Sequence, residues 1–166
     1  MKNCILLLLF ILAPAATSFA APPTGQIHIG WAMTSITPEQ PVALAGQFHK
    51  RISERVESPC TATVLAIETR KGEQSLEQAI MVSCDLVLIA DHLQPRLRKM
   101  LAGRLPGFDP EKLFLNATHT HTGPVTRAIG WYSVDDKGVM KPPAYVDFML
   151  KKIAAAIESA WTKRAP

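Results

Sequence analysis

Beyond its first residues the chain lacks any long apolar run, so we expect no transmembrane helix in the mature protein, because crossing a bilayer takes about 20 apolar residues. It also lacks basic clusters. Its 18 Lys and Arg against 14 Asp and Glu give a formal net charge of +4, which gives little support for nucleic-acid binding. The small positive charge is still compatible with peripheral contact with an anionic membrane surface. Cys-X-X-Cys pairs are absent too, which argues against a zinc site built from thiols alone.

The first residues have the pattern of a secretory signal peptide. A lysine at the second position precedes an apolar run over residues 4–14, and small residues follow. This run is too short to cross a bilayer. We therefore predict a signal peptide over residues 1–20, cleaved after Ala20 or, in the alternative, after Ala21, and a secreted or periplasmic protein over residues 21–166. An uncleaved anchor is the other interpretation.

Two cysteines, Cys60 and Cys84, lie outside the signal segment. In an oxidising compartment they can form one disulfide. Each also lies in an apolar, strand-like run, where a free cysteine behaves as a small buried hydrophobic residue. The sequence leaves both interpretations open, because it does not show whether the two Cβ atoms approach each other.

Apolar patterns predict three strands in the first half of the mature chain. Residues 26–36 alternate loosely, residues 61–69 have a β-branched composition, and residues 79–88 are more continuously apolar. A short apolar segment that ends at Gly46 is interpreted as a turn. The charged stretch 49–57 is predicted to be a solvated loop.

A helix and a fourth strand follow. Asp91 is predicted to cap a helix whose apolar face includes Leu93 and Leu97, and Gly103 to end it. Strand, helix and strand in this order predict a parallel βαβ unit. After a long loop, a final amphipathic helix is predicted to begin at Pro143. The fold class is therefore α/β, with an open mixed or mostly parallel sheet and flanking helices.

Two histidines, His119 and His121, follow the fourth strand in the sequence Thr-His-Thr-His-Thr-Gly-Pro. Alternate residues of an extended chain point to the same side, so the two rings can face one pocket at the carboxyl end of a strand, where open α/β sheets place their chemistry. Such a pair can supply a metal ligand and an acid or base. Catalytic zinc needs three protein ligands, so at least one more must come from elsewhere. Hydrogen bonding to the neighbouring threonines is the alternative role.

The histidine motif resembles the zinc-binding signature of the neutral/alkaline non-lysosomal ceramidase family. Further segments resemble the family in the expected order, over a stretch that runs from about Ile29 to the final helix. These segments are Gly30-Trp31, Ile36-Thr37-Pro38, Leu44-Ala45-Gly46 and Val82-Ser83-Cys84-Asp85-Leu86.

The resemblance implies a secreted zinc-dependent amidase that hydrolyses the N-acyl bond of ceramide or a related lipid. It implies that His119 is a zinc ligand and that His121, beside the metal, helps to stabilise the transition state. Zinc can lower the pKa of bound water to near 7 and polarise an amide carbonyl. Asp85 is a candidate to orient a zinc ligand through a hydrogen bond, and capping of a local turn is its alternative role.

The chain departs from the family pattern in its extent. Family members run several hundred residues, and their remaining zinc ligands, a second histidine, a glutamate and a tyrosine, come from later segments with no counterpart before Pro166. We therefore expect the front part of a larger catalytic domain. Its exposed strand edge and unmatched helix face predict self-association or pairing with a missing carboxyl-terminal part. The alternative function is a noncatalytic exported fragment or binding module that keeps the fold without a complete metal site.

Overall fold

The structure is a computed structural model that describes residues 25–128 and 130–166, so the predicted signal peptide lies outside the described residues. No helix in the described ranges is long and apolar enough to cross a membrane. The elements in chain order are β1 (Gln26–Ser35), β2 (Thr61–Lys71), β3 (Gln74–Cys84), α1 (Leu93–Leu101), a 3₁₀ turn (Pro110–Lys112), β4 (Leu113–Ala117) and α2 (Pro142–Thr162).

The four strands form one mixed sheet in the order β1-β2-β3-β4. β1 and β3 both pair antiparallel with β2, and β3 and β4 pair parallel. The β2–β3 hairpin turns at Gly72, whose φ of 60° suits glycine because it has no Cβ. Since α1 joins the parallel pair β3 and β4, the predicted βαβ unit is confirmed. So is the open mixed sheet with flanking helices.

The third strand begins and ends earlier than predicted. The hairpin pairs Lys71 with Gln74, which extends the strand backwards. It ends at Cys84, and the carboxylate of the next residue, Asp85, accepts hydrogen bonds from the backbone N–H and the hydroxyl of Thr61, both at 2.8 Å. Leu86 is still fully buried, so the apolar run after the strand reflects the core and not the sheet.

Both helices cover the same side of the sheet and enclose the core. The inward residues of β2, which include Ala62 and Val64, are fully buried against α2. A Cβ at Gly30 would overlap the carbonyl oxygen of Ala160, so glycine in β1 allows this close packing. α2 begins one residue before the prediction, and its predicted apolar stripe is buried apart from Phe148, which is partly buried.

The prediction that Asp91 caps the first helix is wrong. His92 is at the N-cap position of α1 and makes no side-chain capping hydrogen bond. The backbone N–H of Leu93 instead donates to the carbonyl of Ala90 at 2.9 Å, so a main-chain turn satisfies one of the amides that a capping side chain would serve. Gly103, at a φ of 75°, follows the end of the helix as predicted.

The other side of the sheet is apolar and exposed. Trp31 pairs with Leu65, Leu65 with Met81, and Met81 with Phe114, which makes one hydrophobic row across all four strands. These four side chains are 69%, 36%, 47% and 51% exposed. The sequence predicted an unmatched helix face, but the helices bury their apolar sides and the unmatched surface belongs to the sheet.

Cys60 and Cys84 are free thiols, so the disulfide interpretation does not hold. Burial, with a smaller effect from the charge of Asp85, raises the pKa of Cys84 to about 12. The same two causes raise the pKa of Cys60. Both therefore behave as small hydrophobic residues, as the other interpretation had it.

Candidate functional site

The two histidines lie in the loop that follows β4. The parallel ladder ends where Cys84 pairs with Ala117, and no strand among the described residues pairs with the chain directly after that point. His119 has a left-handed backbone with a φ of 64°, a conformation that histidine adopts more readily than most non-glycine residues. The expectation of an extended, alternating chain is therefore wrong here.

The two imidazoles nevertheless meet. Their Nε2 atoms are 3.3 Å apart, and the ring planes are inclined by 72°. His119 Nδ1 is 2.6 Å from the carbonyl oxygen of Val87. A carbonyl only accepts, so Nδ1 carries the proton, and in the neutral ring Nε2 keeps its lone pair. This tautomer is the one that a metal-ligating histidine needs, with the outer N–H held by a backbone oxygen.

Asp85 contacts the loop through a threonine. One carboxylate oxygen accepts the hydrogen bonds from Thr61, and the other accepts from the hydroxyl of Thr118 at 3.2 Å. Thr118 directly precedes His119, and its backbone N–H donates to the carbonyl of Cys84 at 3.0 Å. The carboxylate thus fixes the backbone that leads into His119, and its role in orienting that ring stays a prediction.

Gly46 contacts His121 more closely than any other residue type would allow. Its φ is 91°, and a Cβ built on it would be 2.5 Å from Cγ and 2.7 Å from Nδ1 of the imidazole. Only glycine fits, because the ring lies where a side chain would begin. The sequence indicated no more than a turn, although the resemblance had marked the segment that contains this glycine.

Arg51 ties the same two segments together. Its Nη2 donates to the carbonyl of His121 at 2.5 Å and to that of Ala45 at 2.8 Å. Sequence reasoning placed this arginine in a solvated loop and missed the contact, since no local pattern joins residues 70 positions apart.

A short antiparallel pairing completes the support of the histidine loop. The N–H of Ala45 donates to Gly123, and the N–H of Val125 donates to Ala43, each at 2.9 Å. Val125, Ala43 and Ala45 also pack into a small hydrophobic cluster of their own. The histidine loop is therefore held from one side by residues 43–46 and from the other by the end of β3.

A cleft of about 590 Å³ lies beside this loop, but the imidazoles do not line it. Thr120 and Thr122 line it, whereas neither histidine does. The remaining lining residues come chiefly from residues 37–44 and 53–60, with Asp85 and Pro124. We place the candidate site at the histidine pair, because the two imidazoles meet there and no histidine lines the cleft.

The histidine pair does not form a complete metal site with other side chains in the described part of the chain. Over residues 25–128 and 130–166, no three His, Cys, Asp or Glu side chains converge as a metal would require. His28, His49 and His92 are therefore not brought to the pair. An imidazole nitrogen is a suitable donor to zinc, and a zinc site here would need further ligands from elsewhere.

Comparison with solved structures identifies the fold. A crystal structure of neutral ceramidase from Pseudomonas aeruginosa matches 86% of this chain with a TM-score of 0.71 and 22% identity. A structure described as ceramidase complexed with C2 matches the same share at the same identity, with a TM-score of 0.69. This is the fold of a segment of neutral ceramidase. The chain spans 22% of the length of each solved chain.

No protein-family model and no curated protein match the sequence. At 22% identity the likeness to the ceramidases establishes the architecture, whereas chemistry depends on particular side chains. A function for this chain is therefore inferred from the histidine pair.

Proposed function

We propose that this chain forms part of a zinc-dependent amidase that hydrolyses the N-acyl bond of ceramide or a related lipid. The observation that carries the proposal is the hydrogen bond from His119 Nδ1 to Val87, which leaves Nε2 with its lone pair, 3.3 Å from His121 Nε2. The ceramidase fold supports the reaction class, and the names of the two solved proteins support an N-acylated lipid as substrate.

His119 has the role of zinc ligand in this proposal. Its ring is exposed, its tautomer is set by a backbone carbonyl, and the backbone on either side is anchored by hydrogen bonds. An orienting partner on the outer nitrogen raises the basicity of an imidazole ligand and fixes its ring plane. Bound zinc would lower the pKa of a water molecule and polarise the amide carbonyl.

His121 has the role of catalytic residue beside the reacting carbonyl. Gly46 and Arg51 hold its backbone and ring from one side, so its Nε2 is directed towards His119. An imidazole in this place can donate a hydrogen bond to an oxyanion as negative charge develops there, and such a fixed donor is worth about 10²–10³ in rate. His121 only donates a hydrogen bond in this role, so its proton stays on Nε2 and is not transferred.

Export and lipid contact belong to the same proposal. The predicted cleavage near Ala20 would deliver the protein to the periplasm or the medium, where ceramide-like lipids can be reached at a membrane surface. The zinc ligands beyond His119 would come from polypeptide outside the described residues, in line with the 22% of the ceramidase length that the chain spans.

The test is hydrolysis of a ceramide with a fluorescent acyl chain, in the presence of zinc, by the complete natural protein, which in this proposal carries the zinc ligands beyond His119. His119→Ala should abolish turnover, and His121→Ala should lower kcat by about 10²-fold. His92→Ala is the matched control, because His92 is exposed, makes no capping hydrogen bond and lies outside the site.

A wild-type protein without turnover, or a His119→Ala variant that hydrolyses as fast as His92→Ala, would contradict the amidase proposal. Either result would favour the alternative of a noncatalytic exported binding module. The distinction is sharp because the two variants remove the same side chain and differ only in its place.

A further inference from the structure

We propose that Phe48 and Trp131 form a docking surface for the phospholipid bilayer next to the histidine loop. This surface is called the aromatic rim below. The inference rests on the proposed function, because an enzyme for an N-acylated lipid must reach a substrate embedded in a membrane. It goes further in assigning the surface that makes the contact.

The aromatic rim consists of two large rings that touch each other in water. Phe48 is 79% exposed and Trp131 is 68% exposed. The ring centroids are 5.0 Å apart in an edge-to-face arrangement. Single exposed hydrophobic residues are ordinary, but two aromatic rings brought together at the tips of separate segments form a continuous apolar surface. Tryptophan in particular favours the interface between lipid and water.

The rim lies close to the candidate site. Phe48 is two residues beyond Gly46, whose Cα faces the His121 ring. Tyr132, the residue after Trp131, donates from its hydroxyl to the carbonyl of Leu44 at 3.4 Å. Both rings are therefore attached to the segment that supports His121. A bilayer held at the rim would therefore lie near the histidine loop.

The charges around the rim suit an anionic bilayer. Residues 46–50 and 126–141 together contain four basic side chains and two acidic ones. Lys50 pairs with Asp136 at 2.8 Å, and Lys141 with Asp135 at 3.6 Å. The two remaining basic residues, Arg127 and Lys137, are exposed. Basic side chains beside exposed aromatic rings are the combination that binds peripheral proteins to anionic lipids.

The sheet offers a matched control for the rim. Trp31 is 69% exposed, almost the same fraction as Trp131, but lies on the edge strand β1, in the hydrophobic row of the open sheet face. Replacing either tryptophan with serine removes the same ring from water. Only Trp131→Ser removes it from the rim.

The experiment is sedimentation with vesicles of phosphatidylcholine, with and without phosphatidylglycerol, in the absence of ceramide. Wild type should bind, and bind more tightly when phosphatidylglycerol is present. The double variant Phe48→Ser with Trp131→Ser should bind about tenfold more weakly, since two rings no longer leave water. Trp31→Ser should bind as wild type does. Circular dichroism confirms that each variant is folded.

The inference is overturned if wild type does not bind vesicles, if the double variant binds unchanged, or if Trp31→Ser loses as much binding. The last result would show that the open sheet face contacts lipid. Failure of the amidase proposal would give a different result from failure of this inference. A protein that binds vesicles through the rim but hydrolyses no ceramide refutes the amidase and leaves the docking surface intact.

Discussion

Replacement of Gly46 by alanine tests how the histidine loop is supported. The new Cβ would lie 2.5 Å from Cγ of His121, whereas carbon atoms in contact are about 3.5 Å apart. The imidazole must therefore move by about 1 Å, and a displacement of that size can lower a rate by about 10²-fold. The φ of 91° at this residue adds backbone strain.

The two effects can be separated with a second glycine. Overpacking costs about 1–3 kcal/mol, and a left-handed backbone costs an L-residue about 1–2 kcal/mol, so Gly46→Ala should lower the free energy of unfolding by about 2–5 kcal/mol. Gly103 has a φ of 75°, but a Cβ added there would meet no atom within 4 Å. Gly103→Ala should therefore show the backbone cost alone, about 1–2 kcal/mol.

Urea unfolding measures the two free energies, and the side-chain nitrogen signals of the histidines in NMR spectra report any movement of the His121 ring. We expect shifted His121 signals in Gly46→Ala and unchanged signals in Gly103→Ala. If the two variants lose equal stability and leave the His121 signals in place, the contact between Gly46 and the imidazole does not support the site as described.

Three further predictions concern the core and the sheet. Glu68→Gln should cost about 3 kcal/mol, because the buried carboxylate pairs with Arg164 at 2.9 Å. Burial raises the pKa of Glu68, but hydrogen bonds from Ser75 and two arginines outweigh it and lower that pKa. The stability difference measured in urea should therefore shrink as pH falls below about 4, and a constant difference would argue against the ion pair. Cys84 should resist thiol reagents until the protein unfolds. Labelling of Cys84 in the native protein as fast as an exposed thiol is labelled would contradict its burial. Met81→Lys should weaken self-association through the open sheet face, and a wild-type protein that elutes as a monomer from a sizing column at high concentration would refute that association.

Much of the fold follows from local sequence patterns. β1 and β2 were predicted within two residues of both ends, and α2 within one residue of its start, because alternation and helical spacing each reflect one buried face. The parallel pair β3 and β4 followed from the order of the elements. The end of β3 could not be predicted from hydrophobicity. The chain after Cys84 stays apolar because it contributes to the core, as the buried Leu86 does.

The candidate site was only half predictable. The motif located His119 and His121, but the reason for their approach was wrong, because a left-handed residue and not an extended chain brings the rings together. The contacts of Gly46 and Arg51 with His121 join distant parts of the chain. Such contacts depend on how the loops pack against each other, and no periodic pattern in a single sequence predicts them.

Zinc titration of the complete natural protein by calorimetry tests the central claim most directly, since it requires no substrate and includes the polypeptide that would supply the other ligands. We expect wild type and His92→Ala to bind zinc with equal affinity, and His119→Ala to bind at least about tenfold more weakly, because a principal nitrogen ligand is gone. Equal zinc affinity in His119→Ala and His92→Ala, or no zinc binding by the wild type, would contradict the assignment of His119 as a zinc ligand.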